Sequence, residues 1–247
     1  MAATLATRRQ LGMLTPSSNT VLEPMTAAML ADLPDVSVHF GRFPVTEISF
    51  GEAALGQFET GPMLAAAGLL ADARMDAICW NGTSAGWLGL ETDERLCTAI
   101  EERTGIPACS SVLALVEIFQ TTGVRRFGLV TPYLDDIQRA IVDTFEGAGF
   151  PCPAERHLGD PGNYSFAEVD GNSIRQMCRE VARNADIDAI TIFCTNLRGA
   201  DVVADMETEL GLPIYDTVAT ALWASLKCAG VSPARVKGWG RLFQEVG

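Results

Sequence analysis

Histidine is scarce in this sequence, with only two in 247 residues, His39 and His157. They lie far apart without ligand spacing, and no two of the seven cysteines form a C-x-x-C pair, which argues against a zinc site. An odd number of cysteines, several of them in apolar segments, is typical of reduced thiols in a reducing compartment. We therefore expect neither a metal centre nor disulfide bonds.

Positive charge is also scarce. Lys and Arg total 18 against 31 Asp and Glu, which gives a formal net charge of −13. Nucleic acids and anionic membranes bind to basic patches, so neither is an expected partner. The sequence shows no signal peptide after Met1 and no apolar run long enough to span a membrane, which predicts a cytoplasmic protein. An anionic substrate would have to be held by local donors.

What the sequence does contain is an internal repeat. Residues 126–132 (RFGLVTP) repeat residues 10–16 (QLGMLTP), and the D-A-I of residues 188–190 repeats that of residues 76–78. A repeat this long predicts two α/β lobes related by a pseudo-twofold axis, with equivalent loops facing each other across a cleft.

Short apolar strands alternate with longer helical segments in both copies. This order predicts an α/β fold of two pseudo-symmetric Rossmann-like lobes, each a mainly parallel sheet flanked by helices, with the active site in the cleft between them. The first lobe is predicted to comprise residues 1–115 plus 220–247, and the second residues 116–219. Predicted strands cover residues 11–14, 36–40, 77–80, 107–109, 127–130, 152–158, 189–193 and 214–215. Predicted helices cover residues 20–33, 53–73, 92–104, 111–122, 135–148, 173–184, 200–210 and 217–229, the first of them opened by a capping box at Thr20.

Cys194 stands where the two copies differ. It follows the apolar strand 189–193, and the equivalent position in the first copy, Gly82, has no side chain. Backbone N–H groups at the end of such a strand can tune the pKa of a thiol and make it a proton donor or a nucleophile. The alternative is a buried structural cysteine. The equivalent loop of the first copy, rich in Gly, Thr and Ser, favours a functional thiol.

Hydroxyl and amide side chains follow the neighbouring strands. Thr83, Ser84 and Tyr133 could together hold an anion without a cation, as an oxyanion hole does, although Ser and Thr also serve as helix caps. Trp80 and Trp87 flank the first loop and could form an apolar wall, with a core role as the alternative for Trp80. Further candidates for carboxylate binding, each with a cap or turn role as its alternative, are Pro16, Ser17, Asn19, Asn163, Thr195 and Asn196.

Residues 82–86 (GTSAG) also match the G-x-S-x-G nucleophile elbow of α/β-hydrolases. A serine hydrolase of that kind needs an acid and then a histidine later in the chain. The only later histidine is His157, which falls in a predicted strand of the other lobe. Because Ser84 aligns with Asn196 in the repeat, the position indicates a hydrogen-bonding site rather than a nucleophile.

Four segments together resemble the aspartate/glutamate racemase superfamily, in the branch that holds arylmalonate decarboxylase and maleate cis-trans isomerase. They are residues 15–19 (TPSSN), 82–84 (GTS), 130–133 (VTPY) and Cys194, and the resemblance covers essentially the whole chain. Racemases of this superfamily use two facing cysteines, and maleate isomerase uses the first of them to attack the double bond. Gly82 stands at that place here. Its combination with Cys194, and the trio Thr83, Ser84 and Tyr133 as a dioxyanion hole, match the decarboxylase, whereas Asn19 and Asn163 match carboxylate-binding residues of the isomerase.

The resemblance implies a cofactor-independent lyase or isomerase that acts on a small dicarboxylate. The function it favours is decarboxylation of a disubstituted malonate through an enediolate that Cys194 protonates. A maleate or Asp/Glu racemase-like isomerase and a non-catalytic dicarboxylate-binding protein are the alternatives, and a homo-oligomer stays open. Gly82 is expected to leave room for a substituent, so Gly82→Cys would add a second proton carrier and some racemase activity.

Overall fold

The computed structural model describes residues 8–183 and 186–246. The predicted helix end at Asn184, and residues 1–7 and 247 of the predicted lobe ranges, lie outside the described residues. The strands are β1 (Arg9–Pro16), β2 (Val36–Phe43), β3 (Ala77–Trp80), β4 (Ala108–Ser110), β5 (Phe127–Thr131), β6 (Ala154–His157), β7 (Ala189–Ile192) and β8 (Ile214–Asp216).

These strands form two four-stranded sheets with the same topology. The first has the order β2-β1-β3-β4 and the second β6-β5-β7-β8, and every pairing in both is parallel. In each sheet the strand after the first helix lies at an edge and the chain then crosses over to the other side. The predicted fold class of two repeated α/β lobes is confirmed.

Helices flank both sheets. They are α1 (Leu22–Met29), α2 (Glu52–Gly56), α3 (Thr60–Asp72), α4 (Ala85–Leu88), α5 (Leu90–Thr104), α6 (Ser111–Thr122), α7 (Asp135–Gly147), α8 (Gly171–Arg183), α9 (Ala200–Leu210), α10 (Thr217–Cys228) and α11 (Leu242–Glu245), with 3₁₀ turns at Tyr164–Glu168 and Pro233–Arg235. The segment predicted to be helical over residues 53–73 forms two helices, α2 and α3, with one interruption between them. Pro62 has no N–H to donate to the carbonyl of Phe58, so it fits only the first turn of a new helix.

The start of α1 also differs from the prediction. The Oδ1 of Asn19 accepts the backbone N–H groups of Val21 and Leu22 at 2.9 and 3.0 Å, so Asn19 caps this helix end. Glu23, the expected partner in a capping box at Thr20, instead binds the Arg42 guanidinium on β2. Glu23 therefore binds a charged group, which the β1–β2 pairing brings close, in preference to the backbone N–H at the helix end.

The C-terminal segment returns to the first sheet. Helix α10 packs beside α6 and against β3 and β4, where the Cys79 thiol contacts the carbonyl of Ala221 at 3.8 Å. Phe119 of α6 reaches the second lobe and packs against Phe127 with ring centroids 5.2 Å apart. The lobe boundaries at residues 115/116 and 219/220 stay a prediction. Along the described residues, no helix combines the length and apolar character needed to cross a membrane.

Candidate active site

The cleft between the lobes is formed by loops that follow the carboxyl ends of the strands. Its lining contains ten of the eleven predicted catalytic and substrate-binding residues, as well as Trp80 and Trp87, which were predicted as an apolar wall. The ten are Pro16, Asn19, Gly82, Thr83, Ser84, Tyr133, Asn163, Cys194, Thr195 and Asn196, and they are joined by Val45, Ile48 and Phe58. None of the residues that line this cleft is Asp, Glu, Lys or Arg. Any anion held here is therefore held by neutral donors.

Ser17 is the predicted residue that does not line the cleft. Its hydroxyl accepts the backbone N–H of Val45 at 3.1 Å and donates to the carbonyl of the same residue at 3.3 Å. Ser17 thereby fixes the segment after β2, which carries Val45 and Ile48 into the cleft wall. The sequence did not predict that Val45, Ile48 and Phe58 line the cleft, because nothing in the local sequence shows where a single apolar loop residue will pack.

Cys194 lies directly after β7 and is 3% exposed. Its sulfur accepts the backbone N–H of Asn196 at 3.4 Å. Burial raises the pKa of the Cys194 thiol to about 11, although hydrogen bonds from Tyr133 and from the N–H groups of Asn196 and Leu197 act in the opposite direction. At neutral pH this residue is a thiol that carries a proton, which suits an acid better than a nucleophile.

Thr83 and Tyr133 meet across the cleft. The Oγ1 of Thr83 and the Oη of Tyr133 are 2.7 Å apart, so the two hydroxyls already form a hydrogen bond between the lobes. Burial raises the pKa of Tyr133 well above its usual range, and the phenol stays a neutral donor. Trp87 and Phe166 pack edge-on against the Tyr133 ring at 5.3 and 5.6 Å and fix its orientation.

Gly82 and Ser84 are positioned by helix ends. Ser84 immediately precedes α4, and its carbonyl accepts the N–H groups of Trp87 and Leu88. The hydroxyl of Ser111, at the start of α6, donates to the Gly82 carbonyl at 2.5 Å, and Thr220 of α10 donates to the Ser111 carbonyl at 2.9 Å. The returning C-terminal helix therefore supports the loop that faces Cys194.

Three amides connect the lobes at the side of the cleft, and we call Asn19, Asn163 and Asn196 the amide bridge. The Nδ2 of Asn19 donates to the carbonyl of Thr195 at 3.0 Å and contacts its Oγ1 at 3.3 Å. The Nδ2 of Asn196 donates to the Asn163 carbonyl at 2.6 Å, while its Oδ1 accepts the N–H of Thr20 at 3.0 Å. The Nδ2 of Asn163 donates to the hydroxyl of Ser18 at 2.8 Å. The amide bridge holds the two lobes in a closed arrangement.

The cleft is consequently small, with a volume of about 20 Å³. That is little more than the 10–15 Å³ or so that one water molecule requires. A dicarboxylate would enter only after these loops separate.

The room expected at Gly82 is absent. A Cβ built on Gly82 would lie 2.7 Å from Cε2 of Trp80 and closer still to its Cζ2 and Cη2, so the indole ring already occupies that space. Trp80 is 1% exposed and packs on Phe43 at a centroid distance of 5.3 Å. Trp80 is therefore part of the cleft wall as well as of the core.

The structure gives Ser84 no histidine. His157 lies on β6, away from the cleft lining, with Nδ1 2.8 Å from Glu155 and Nε2 2.9 Å from Asp135. A serine–histidine relay through Ser84 is not formed. Over residues 8–183 and 186–246, no group of three or more His, Cys, Asp or Glu side chains is placed to hold a metal ion.

Comparisons with known proteins give the same fold and two kinds of relative. A family model described as arylmalonate decarboxylase matches residues 56–243. The arylmalonate decarboxylase of Bordetella bronchiseptica is 26% identical over 237 residues, which cover 95% of this chain and 96% of the relative. A crystal structure of arylmalonate decarboxylase superposes with a TM-score of 0.80 at 25% identity, covering 96% of this chain and 99% of that one. A structure of Nocardia farcinica maleate cis-trans isomerase bound to TRIS gives 0.86 at 26% identity, covering 96% and 98%.

Proposed function

The chain belongs to the arylmalonate decarboxylase family, and on that premise we propose that it removes one carboxylate from a small malonate-like dicarboxylate without a cofactor. It is an enzyme of a family whose relatives are decarboxylases and isomerases. The observation that carries the proposal is the asymmetry of the cleft. One buried thiol, Cys194, faces a loop in which Gly82 offers neither a second acid nor a nucleophile.

One carboxylate of the substrate binds to the hydroxyls of Thr83, Ser84 and Tyr133. The Thr83–Tyr133 hydrogen bond of the closed structure opens, and both hydroxyls donate to the carboxylate oxygens instead. Asn19, Thr195 and Asn196 complete the polar side of the pocket beside Pro16, with Asn163 closing over it. No cationic side chain is needed, because preorganised neutral donors in a water-poor site stabilise an anion effectively.

The second carboxylate lies against the apolar side chains of Val45, Ile48 and Phe58. These groups offer it no hydrogen bond, so its charge is poorly solvated and loss of CO2 becomes easier. The bond between the α-carbon and this carboxylate breaks, and its electron pair moves into an enediolate. The new charge rests on the oxygens already held by Thr83, Ser84 and Tyr133.

Cys194 then protonates the α-carbon. The S–H bond breaks, a C–H bond forms, and the thiolate is reprotonated from solvent, so that each turnover consumes one proton and one dicarboxylate and yields CO2 and a monocarboxylate. Because burial raises the pKa of Cys194 to about 11, the thiolate is the unstable form and recovers its proton readily. The product of a prochiral substrate should be a single enantiomer.

The test is proton NMR in D2O with methylmalonate, ethyl(methyl)malonate, phenylmalonate and maleate. We expect loss of CO2 from at least one malonate, with deuterium at the α-carbon, in the wild type and in Cys228→Ala but not in Cys194→Ala. Cys228 is an exposed thiol at the end of α10 and is the matched control. If the folded wild type converts none of the three malonates, the protein is not a decarboxylase of this kind.

A maleate-type isomerase is the second candidate, and the likeness to the Nocardia isomerase together with Asn19 and Asn163 favours it. Cis-trans isomerisation needs reversible addition to the double bond, and Cys194 is the only thiol that lines the described cleft. Cys194-dependent conversion of maleate to fumarate would establish this function instead. Normal ligand binding by Cys194→Ala without any turnover in the wild type would indicate a binding protein.

A further inference from the structure

Trp80 ends β3 and lies two residues before Gly82. Its six-membered ring covers the α-carbon of Gly82, on the side where a side chain would project. The ring is held from behind by Phe43, and its Nε1 is buried without a hydrogen-bond partner among the described residues. An indole in this place is neither a proton donor of useful acidity nor a nucleophile.

The other lobe shows what the same position looks like without an indole. The repeat aligns Trp80 with Ile192, and both pair with the central strand of their sheet, Trp80 with Leu14 and Ile192 with Val130. Two residues later stand Gly82 and Cys194. In the second lobe, therefore, a smaller side chain at the end of the strand coexists with a side chain at the reactive position.

A second cavity shares part of its wall with the cleft. It has a volume of about 230 Å³ and shares Phe58, Trp80 and Ser84 with the cleft. Its other walls include the buried side chains of Met63, Leu96 and Asp93, together with the charged side chains of Glu59 and Arg95. Trp80 is thus one of three residues in the wall common to a cleft of about 20 Å³ and a cavity of about 230 Å³.

We propose that Trp80 is the specificity-determining residue of this site. With the proposed decarboxylation as its basis, the inference is that Trp80 has two effects. It excludes any side chain at position 82, so that the α-carbon receives its proton from the Cys194 side alone. It also closes the larger cavity, so that malonates with small α-substituents such as methyl or ethyl are accepted and those with aryl groups are rejected.

The first test does not depend on activity. Gly82→Cys forces the Trp80 ring or the loop to move, and overpacking of this kind should lower the Tm by roughly 5–10 °C. In a Trp80→Ala background the new side chain meets free space, and Gly82→Cys should then change the Tm by less than about 2 °C. Additive effects of the two substitutions on the Tm would overturn the inference. Trp80→Leu replaces Trp80→Ala if the smaller residue prevents folding.

The second test measures substrate size. Trp80→Ala should shift the ratio of kcat/KM for phenylmalonate over methylmalonate by at least tenfold towards phenylmalonate. The matched control is Trp223→Ala in α10, which removes an equally buried indole whose Nε1 donates to the carbonyl of Val246 and which does not line the cleft. That variant should lose stability and keep the wild-type ratio. An unchanged ratio in Trp80→Ala and Trp80→Leu would overturn the inference.

The third test adds the missing proton carrier. Trp80→Ala with Gly82→Cys should exchange the α-proton of both enantiomers of 2-phenylpropionate in D2O, whereas Gly82→Cys alone should not. Exchange by Gly82→Cys alone at the rate of the double variant would overturn the role of Trp80. If no malonate is decarboxylated by any variant, the proposed function fails, and the Tm measurements still decide whether Trp80 excludes a side chain at position 82.

Discussion

The two lobes share one topology and differ where β3 and β7 end. The first lobe presents Trp80 and Gly82 there, and the second presents Ile192 and Cys194. The backbone scaffold is the same in both, since each sheet has the same strand order and only parallel pairs. The lobes therefore differ in one reactive group: the second has a thiol at the position where the first has Gly82 covered by the Trp80 ring.

The lobes also differ in the element that supplies a buried carboxyl near the last strand of each sheet. Ser110 and Asp216 cap α6 and α10, and each stands at the end of the last strand of its sheet. The first lobe adds a buried carboxyl from Asp93 on α5, whereas in the second lobe Gly199, directly before α9, lies beside Asp216. A Cβ on Gly199 would lie 2.5 Å from Oδ2 of Asp216. Each lobe therefore buries one carboxyl in this region, but from a different element.

We expect the largest change in activity when the thiol is moved from the second lobe to the first. Cys194→Gly removes the proton donor and should lower the turnover of ethyl(methyl)malonate by roughly 10²–10⁴-fold. Adding Gly82→Cys and Trp80→Ala should restore part of this activity with protonation from the opposite face. Chiral chromatography of the 2-methylbutyrate formed measures the outcome. The same enantiomer from wild type and triple variant would show that the two loops do not face opposite sides of the substrate.

Tyr133 and Ser17 occupy equivalent positions after the first strand of each lobe and test the donor cluster. Tyr133→Phe removes a hydroxyl aimed at Thr83 and should lower kcat/KM by about 10²–10³-fold. Ser17→Ala removes a hydroxyl that binds Val45, and we expect a rate change below about tenfold with roughly 1 kcal/mol of lost stability. Steady-state kinetics and urea unfolding measure the two effects. Equal rate losses would place both residues at the substrate.

The buried carboxyls predict a pH dependence of stability. Burial raises the pKa of Asp93 and of Asp216 from 3.8 to about 7. Both groups ionise in the unfolded chain near pH 4 but resist ionisation in the folded one, so their contribution to stability falls as the pH rises from about 4 to about 7. Asp93→Asn and Asp216→Asn should each gain stability relative to wild type on going from pH 4.5 to pH 8, by on the order of 1–4 kcal/mol.

Urea unfolding at the two pH values measures this gain. The Oδ1 of Asp216 caps α10, and an asparagine keeps that acceptor, so the cap is not lost in the comparison. If the difference in unfolding free energy between variant and wild type is the same at both pH values, the carboxyl has the same pKa in the folded and the unfolded chain, which contradicts the prediction.

The smallest effect concerns the aspartates that precede β3 and β7. Asp188 accepts the N–H groups of Arg125 and Arg126 at 2.8 and 3.0 Å, whereas Asp76 accepts that of Gln10 at 2.8 Å together with the Arg9 guanidinium. We expect Asp188→Ala to cost about 1–2 kcal/mol and Asp76→Ala about 0.5–1 kcal/mol, since each lost bond at an exposed site is weak. Thermal unfolding of both variants measures the two losses of stability. A larger loss in Asp76→Ala than in Asp188→Ala would contradict the prediction.

The repeat was visible in the sequence because each copy contains the same strand–loop pattern, and that was enough to predict the eight strands and most of the cleft. Contacts between residues distant in the chain were not predictable in this way. Asn19 rather than Thr20 caps α1 because Arg42, on the neighbouring strand, takes Glu23 away from the helix end. The Trp80 ring lies over Gly82 for a similar reason, since the direction of a strand-end side chain depends on Phe43 and on the helices packed around it.

The closed cleft has an optical consequence. Trp80 and Trp87 line it, while the other two of the four indoles, Trp223 and Trp239, lie elsewhere. A separation of the lobes would break the amide bridge and bring water to two buried indoles whose Nε1 groups have no partner among the described residues. Hydration shifts the emission of an indole to longer wavelength, so the fluorescence of the unlabelled protein reports how often its lobes part.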